Sequence, residues 1–248
     1  MLWDHYVFRR GNAVHELWDS LLKDRPVELL YIAGRGFDLR AQAVMREFVA
    51  GQRGAGRRTV SAKLLLLGFH GYELDEDIQK LTDENAVALE EVFSPLGGTA
   101  TIIVKTPDEE EEEASASDSL RQRVKAVLDE MDGKTDIILD VSSLPRATYL
   151  ALLTNILQKL VPEKAAVDGA AHPLYAKGVN FQVFVAEDAK LDGQIRAEDP
   201  SNDLLNIPGF FAAWQAERGQ DWPLVWFPVL GEGRVNQLQK IATSIPTE

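Results

Sequence analysis

Short apolar runs recur along this chain, and each gives way to glycine, serine or another polar residue before helical periodicity resumes. Residues 27–33 form the first run, which ends in Gly34-Arg35-Gly36-Phe37-Asp38; residues 62–69, 99–105, 135–141, 181–186 and 223–230 repeat the pattern. Runs of this length without polar alternation suit strands covered on both faces, as in a parallel sheet. Between them, residues 39–49, 77–93, 119–131 and 147–160 read as helices. Residues 12–23 add an amphipathic helix at the start, with Val14, Leu17, Trp18, Leu21 and Leu22 on one side. Strand and helix in alternation predict right-handed βαβ units. The expected fold is therefore α/β, a Rossmann-like three-layer sandwich with a mainly parallel sheet of about six strands.

The 248 residues read as a single domain. Two stretches depart from the alternation. Asp108-Glu109-Glu110-Glu111-Glu112-Glu113, followed by Ala114-Ser115-Ala116-Ser117, predicts a solvated, disordered loop over residues 107–118. Residues 188–221 carry the turn signals Pro200-Ser201-Asn202-Asp203 and Ile207-Pro208-Gly209, and read as an insertion or a plain surface excursion. The final helix stops at Ile245-Pro246-Thr247-Glu248, soon after a glycine turn, so the chain is also read as a fragment of something longer.

Composition narrows the chemistry. With no cysteine, disulfides, thiolate nucleophiles and cysteine-based metal sites are excluded together. No apolar run approaches the ~18 residues of a membrane helix, and the N-terminus has no signal-peptide pattern, so a cytoplasmic location and no membrane partner are expected. The net charge of −13 argues against binding a long nucleic acid, which calls for a basic face.

In open α/β sheets ligands bind outside the carboxyl ends of the strands, where the strand order reverses. With the order 3-2-1-4-5, that reversal falls between the first and fourth strands, whose ends are the most unusual sequences in the chain. The first end is Gly34-Arg35-Gly36-Phe37-Asp38-Leu39-Arg40. Its paired glycines permit a sharp turn and close approach to a ligand, and the next helix offers unpaired N–H groups. Leu39 occupies the third glycine position of a dinucleotide fingerprint, which argues against ordinary dehydrogenase-type NAD binding. The second end is Asp140-Val141-Ser142-Ser143-Leu144-Pro145-Arg146. Ser142, Ser143 and Pro145 suit a capped helix start. Asp140 ends a buried strand, where a carboxylate is costly unless it is paired. A third end, Gly231-Glu232-Gly233-Arg234, repeats the strand–glycine–helix pattern and reads equally as a simple tight turn.

Arg35, Arg40, Arg146 and Arg234 all fall at these predicted strand ends. Arginine forks match phosphate oxygens, so a local positive pocket in an acidic protein would select a small phosphate-bearing ligand. Each of them could instead be paired with a nearby acid. There is no P-loop, no Gly-x-Ser-x-Gly elbow and no His-Glu-x-x-His helix. His5, His15, His70 and His172 lack metal-ligand spacing, and of these His70 alone is near the proposed edge. No metal site is expected, and no cofactor is named by the sequence. The five tryptophans read as core rather than as base-stacking residues.

Asp140-Val141-Ser142-Ser143 with Arg146 resembles the fourth-strand motif of CRISPR-associated Rossmann-fold (CARF) domains, in which an acid, hydroxyls and a basic residue line a pocket for cyclic oligonucleotides. Gly34-Arg35-Gly36-Phe37-Asp38 is similar to the Gly-x-Gly-Phe-Asp opening of SIR2-like and abortive-infection proteins. The resemblance covers two loops and the strand order. It departs from those patterns in lacking the usual glycines of the fourth-strand loop and the SIR2-like histidine and asparagine pattern. What it implies is a nucleotide-sensing domain of prokaryotic antiviral defence, acting as a homodimer or on an effector partner.

Three functions follow as expectations. A sensor would bind a nucleotide or cyclic oligonucleotide through Gly34, Arg35, Gly36, Phe37, Asp38, Arg40, Asp140, Ser142, Ser143, Arg146, Gly231, Glu232, Gly233 and Arg234. An enzyme would hydrolyse or transfer within a nucleotide, with Asp38 and Asp140 as acid–base candidates and Arg146 stabilising phosphate charge. A scaffold would keep a vestigial pocket, its arginines tied up in structural ion pairs.

Overall fold

The computed structural model describes residues 7–22, 25–54, 59–69, 76–104, 112–160 and 178–187. These form, in chain order, α1 (Ala13–Leu22), β1 (Val27–Gly34), α2 (Arg40–Gly54), β2 (Thr59–Phe69), α3 (Glu76–Phe93), β3 (Gly98–Val104), α4 (Glu112–Glu130), β4 (Asp136–Asp140), α5 (Arg146–Leu160) and β5 (Asn180–Phe184). The five strands make one sheet in the order β3-β2-β1-β4-β5, and every neighbouring pair is parallel. This is the expected Rossmann-like α/β arrangement, with five strands among the described residues. The strand expected at 223–230, the excursion at 188–221, His70 and the loop Gly231-Glu232-Gly233-Arg234 lie outside them.

The sheet is covered on both sides, and the alternation of side chains along each strand divides the core in two. Leu29, Tyr31 and Ala33 of β1, Leu64 and Leu66 of β2, Ile138 of β4 and Phe184 of β5 pack with Trp18, Met45, Phe48, Leu89 and Phe93, from α1, α2 and α3. Leu30, Ile32, Leu65, Leu67, Ile137 and Leu139 face the other way, onto Leu120, Val124, Val127, Leu152 and Ile156 of α4 and α5. β1 is buried along nearly its whole length, which explains the continuous apolar run of its sequence. Aromatic rings dominate the first layer. Trp18 lies edge-on to Phe48 at 5.2 Å between ring centres, and Tyr31 touches Phe48, Phe93 and Phe184 at 5.8–6.0 Å. Such pairs add about 0.5–1.5 kcal/mol each beyond the area they bury. Trp18 is thus a core residue, as expected.

One element differs from the sequence reading. α4 begins at Glu112, so residues 112–118 are helical where a disordered loop was expected. Glutamate and alanine are good helix formers, and acidic residues complement the positive end of a helix. These preferences outweigh the charge repulsion that suggested disorder.

At the amino edge of the sheet a carboxylate is enclosed. Asp136 is fully buried, and its oxygens accept from Arg25 at 2.9 and 2.5 Å, from the Thr135 hydroxyl at 2.7 Å and from Asn180 at 2.9 Å. This network ties the entry to β1, the start of β4 and the start of β5 at the end opposite the proposed ligand edge. Among the described residues no helix is long and apolar enough to cross a membrane.

Candidate functional site

Because β1 and β4 are parallel neighbours that lead to α2 and α5, the strand order reverses between them, and both helices start at the same edge. The two expected loops do meet there. The Ser143 hydroxyl donates to the Gly34 carbonyl at 3.0 Å. A Cβ on Gly34 would lie 2.3 Å from the Ser143 carbonyl oxygen, far inside contact distance, so the approach of the two backbones requires glycine at this position. At Gly36 the same oxygen would be 3.2 Å away, tight but less severe.

Asp140 sits beneath this contact with no exposed surface. Its Oδ2 accepts from the Tyr31 hydroxyl at 2.8 Å, and its Oδ1 accepts from the Ser142 backbone N–H at 3.0 Å. Burial pushes its carboxyl above the usual carboxylate value, against the opposing effect of these donors, and the charge of Asp38 adds a smaller push upward. Burial likewise raises the Tyr31 phenol well above its ordinary value, helped by the neighbouring carboxylate. Ser142 is also buried, and its hydroxyl accepts from the Ala186 N–H at 2.9 Å, tethering the end of β5 to the β4–α5 loop. Both serine hydroxyls therefore hold loops together.

The arginines divide. Arg40 binds the Asp38 carboxylate through its guanidinium, and Asp38 Oδ1 also accepts the Arg40 backbone N–H at 3.0 Å, capping α2. Arg35 reaches across to Asp83 of α3 at 2.5 Å. The Arg40–Asp38 pair is largely enclosed, at 19% and 16% side-chain exposure, whereas Arg35, 26% exposed, pairs with an Asp83 that is 51% exposed. Arg146, the first residue of α5, is exposed. Phe37 is half-buried and Leu39 is 50% exposed on the rim of the same loop. Arg234 and its neighbouring glycines lie outside the described residues.

Sequence reasoning missed Asn85 and Gln42. Asn85, on α3, is 1% exposed, and its amide nitrogen donates to the carbonyls of Gly36 at 2.5 Å and Asp38 at 3.3 Å. Its oxygen accepts from Gln42 Nε2 at 2.6 Å. The only forewarning in the sequence is a polar residue on the apolar face of a helix, between Thr82 and Leu89. A groove of about 300 Å³ between α2 and α3, lined by Arg46, Val49, Ala50, Glu91, Val92 and Pro95, lies away from the strand ends. Among the described residues no group of three or more histidines or acids could hold a metal ion.

The fold and this edge define a class, a Rossmann-like α/β domain with a parallel-sheet switch point. No family model and no curated protein matches the chain. Among solved structures it is similar to a ferredoxin-NADP+ reductase from Plasmodium falciparum, with 10% identity and a TM-score of 0.30 over 73% of this chain. The match covers 59% of that reductase's own length. A likeness this distant says nothing about ligand or activity.

Proposed function

We propose that this chain binds a small phosphate-bearing ligand, a nucleotide or cyclic oligonucleotide, over the carboxyl ends of β1 and β4, and binds it without turnover. The observation that carries the reading is the state of the two carboxylates. Asp140 is enclosed with both oxygens held, and Asp38 is bound by Arg40, so neither is placed to exchange a proton with a ligand. Arg146, at the start of α5, is an exposed cation at this edge, where helix N–H groups also favour an anion. The likeness of Asp140-Val141-Ser142-Ser143 and Arg146 to the CARF fourth-strand motif directs the proposal towards cyclic oligonucleotides, antiviral signalling, and a homodimer or effector partner.

The ion pairs of Arg35 and Arg40 favour a second reading, a scaffold whose pocket is vestigial. One experiment separates the readings. The protein is incubated with NAD, ATP, GTP and small cyclic oligonucleotides, examined by native mass spectrometry, and the filtrate is analysed for products. A retained, unaltered ligand is the expected result. Altered ligand would make the protein an enzyme, and no retention across the panel would leave the scaffold.

A further inference from the structure

The connection from α4 to β4, residues 131–135, lies at the amino edge of the sheet, at the far end from the β1 and β4 loops. It reads Met131-Asp132-Gly133-Lys134-Thr135, and Asp132 is the one aspartate among the described residues that a glycine follows. That dipeptide has a chemistry of its own. The backbone nitrogen after an aspartate can attack the side-chain carboxyl carbon and close a five-membered imide. A side chain on the following residue obstructs the attack, and glycine has none.

The local structure leaves this reaction open. The Asp132 side chain is 79% exposed. Neither residue belongs to a helix or strand, so no ladder has to break first. The Gly133 N–H donates to no backbone carbonyl of a described residue, whereas Met131 donates to Leu128 and Lys134 donates to Met131. Gly133 holds a φ of +76°, and a Cβ placed on it would meet nothing within 4 Å, so there is room beside the peptide for a ring. One contact opposes closure. Lys159 Nζ reaches over from α5 to Asp132 Oδ1 at 2.8 Å, and it donates as well to the Leu128 carbonyl at 2.5 Å. The ammonium is anchored on the end of α4, and a carboxyl held by it must let go before it can turn onto its own backbone.

We propose that Asp132-Gly133 is a site of spontaneous isoaspartate formation, and that Lys159 restrains it. The Gly133 nitrogen bonds to Asp132 Cγ, and its hydrogen leaves with the carboxyl hydroxyl as water. Water then opens the imide on one of two sides. Breaking the new bond to Cγ restores aspartate. Breaking the bond to the original backbone carbonyl carbon leaves the chain running through the side chain, one methylene longer. The water lost in closure returns in opening, so mass is unchanged and no other reactant is needed. The longer path falls just before Thr135, whose N–H donates to the Glu28 carbonyl at 3.0 Å and whose hydroxyl accepts the Glu28 N–H at 2.9 Å. Isomerised chains should therefore melt below intact ones.

The full chain is aged for several weeks at physiological temperature and neutral pH, then digested and mapped by electron-transfer fragmentation. That method separates isoaspartate from aspartate by the backbone bond that breaks, and reads each position by itself. The pairs Asp168-Gly169 and Asp192-Gly193, outside the described residues, are thus scored apart from Asp132. Isoaspartate at 132 should accumulate steadily in the wild type. In Lys159→Met it should form about two- to fivefold faster, a gain limited by the weakness of an exposed ion pair. Asp132→Glu, which would have to close a six-membered ring, should stay unmodified at this position. No isoaspartate at 132 in the aged wild type and in Lys159→Met would overturn the site, and the wild type alone decides this if the variant does not fold. Equal rates in the two, both folded by thermal melting, would overturn the restraint by Lys159.

Discussion

The Tyr31 hydroxyl donates to Asp140 Oδ2 at 2.8 Å from the adjacent strand, and neither side chain reaches solvent. Tyr31 stands opposite Ile138 in the register of β1 and β4, so its ring runs along the sheet to a carboxylate two residues further on. The pair supports the β4–α5 loop from below, because the other oxygen of Asp140 holds the Ser142 N–H. Removing the phenol in Tyr31→Phe leaves a buried carboxylate short of one donor. A loss of about 1–3 kcal/mol is expected in urea denaturation.

The ionisation of Asp140 gives this support a pH dependence. Its carboxyl is raised from 3.8, so the folded state holds the proton more tightly than the unfolded chain. The stability it contributes is fully present below the unfolded value and is lost as pH rises through the raised one. Asparagine in its place does not ionise. The stability of Asp140→Asn relative to wild type should therefore climb as pH is taken from about 4 towards neutrality. A difference that stays flat over that interval would mean that folding leaves the acidity of Asp140 unchanged.

Gly34→Ala forces a Cβ to within 2.3 Å of the Ser143 backbone oxygen. Backbone cannot swing aside as a side chain can, so either the β4–α5 loop moves or the strands part. Overpacking of this kind costs about 1–3 kcal/mol, and the expected loss is at the upper end. Gly36→Ala, at 3.2 Å from the same atom, should cost less than half as much in the same denaturation experiment.

Arg25→Met strands the buried carboxylate of Asp136 at the opposite edge. Removing one partner of a fully buried pair costs about 3–5 kcal/mol. Arg25 is 33% exposed, and Thr135 and Asn180 still donate to Asp136, so a smaller loss of about 2 kcal/mol is expected. The Asp136→Asn, Arg25→Met double variant should recover part of it.

Much of the fold was legible because hydrophobic period is a local property. The apolar runs ending at Gly34, Phe69 and Asp140 are strands, and the helical periods between them are helices, although α4 starts seven residues before its expected beginning. The loops of β1 and β4 were singled out for their glycines, serines and the misplaced acid Asp140, and they do meet. Their partners were not legible. Asp83 and Asn85 lie more than forty residues along the chain from the groups they bind, and no spacing marks them. That a carboxylate at Asp140 needs a partner followed from its position, but that Tyr31 supplies it depends on strand register. Arg35 and Arg40 suggested phosphate contacts because sequence shows charge without showing what neutralises it.

The most direct test of ligand binding at this edge is retention of the ligand found in the nucleotide panel, compared between Arg146→Ala and Lys134→Ala. Lys134 precedes β4 at the amino edge, so the second variant removes the same charge from the far end of the sheet. The account predicts at least a tenfold loss of affinity in Arg146→Ala, wild-type affinity in Lys134→Ala, and ligand recovered unaltered from both. Equal retention in the two variants, or product in the filtrate, would contradict it.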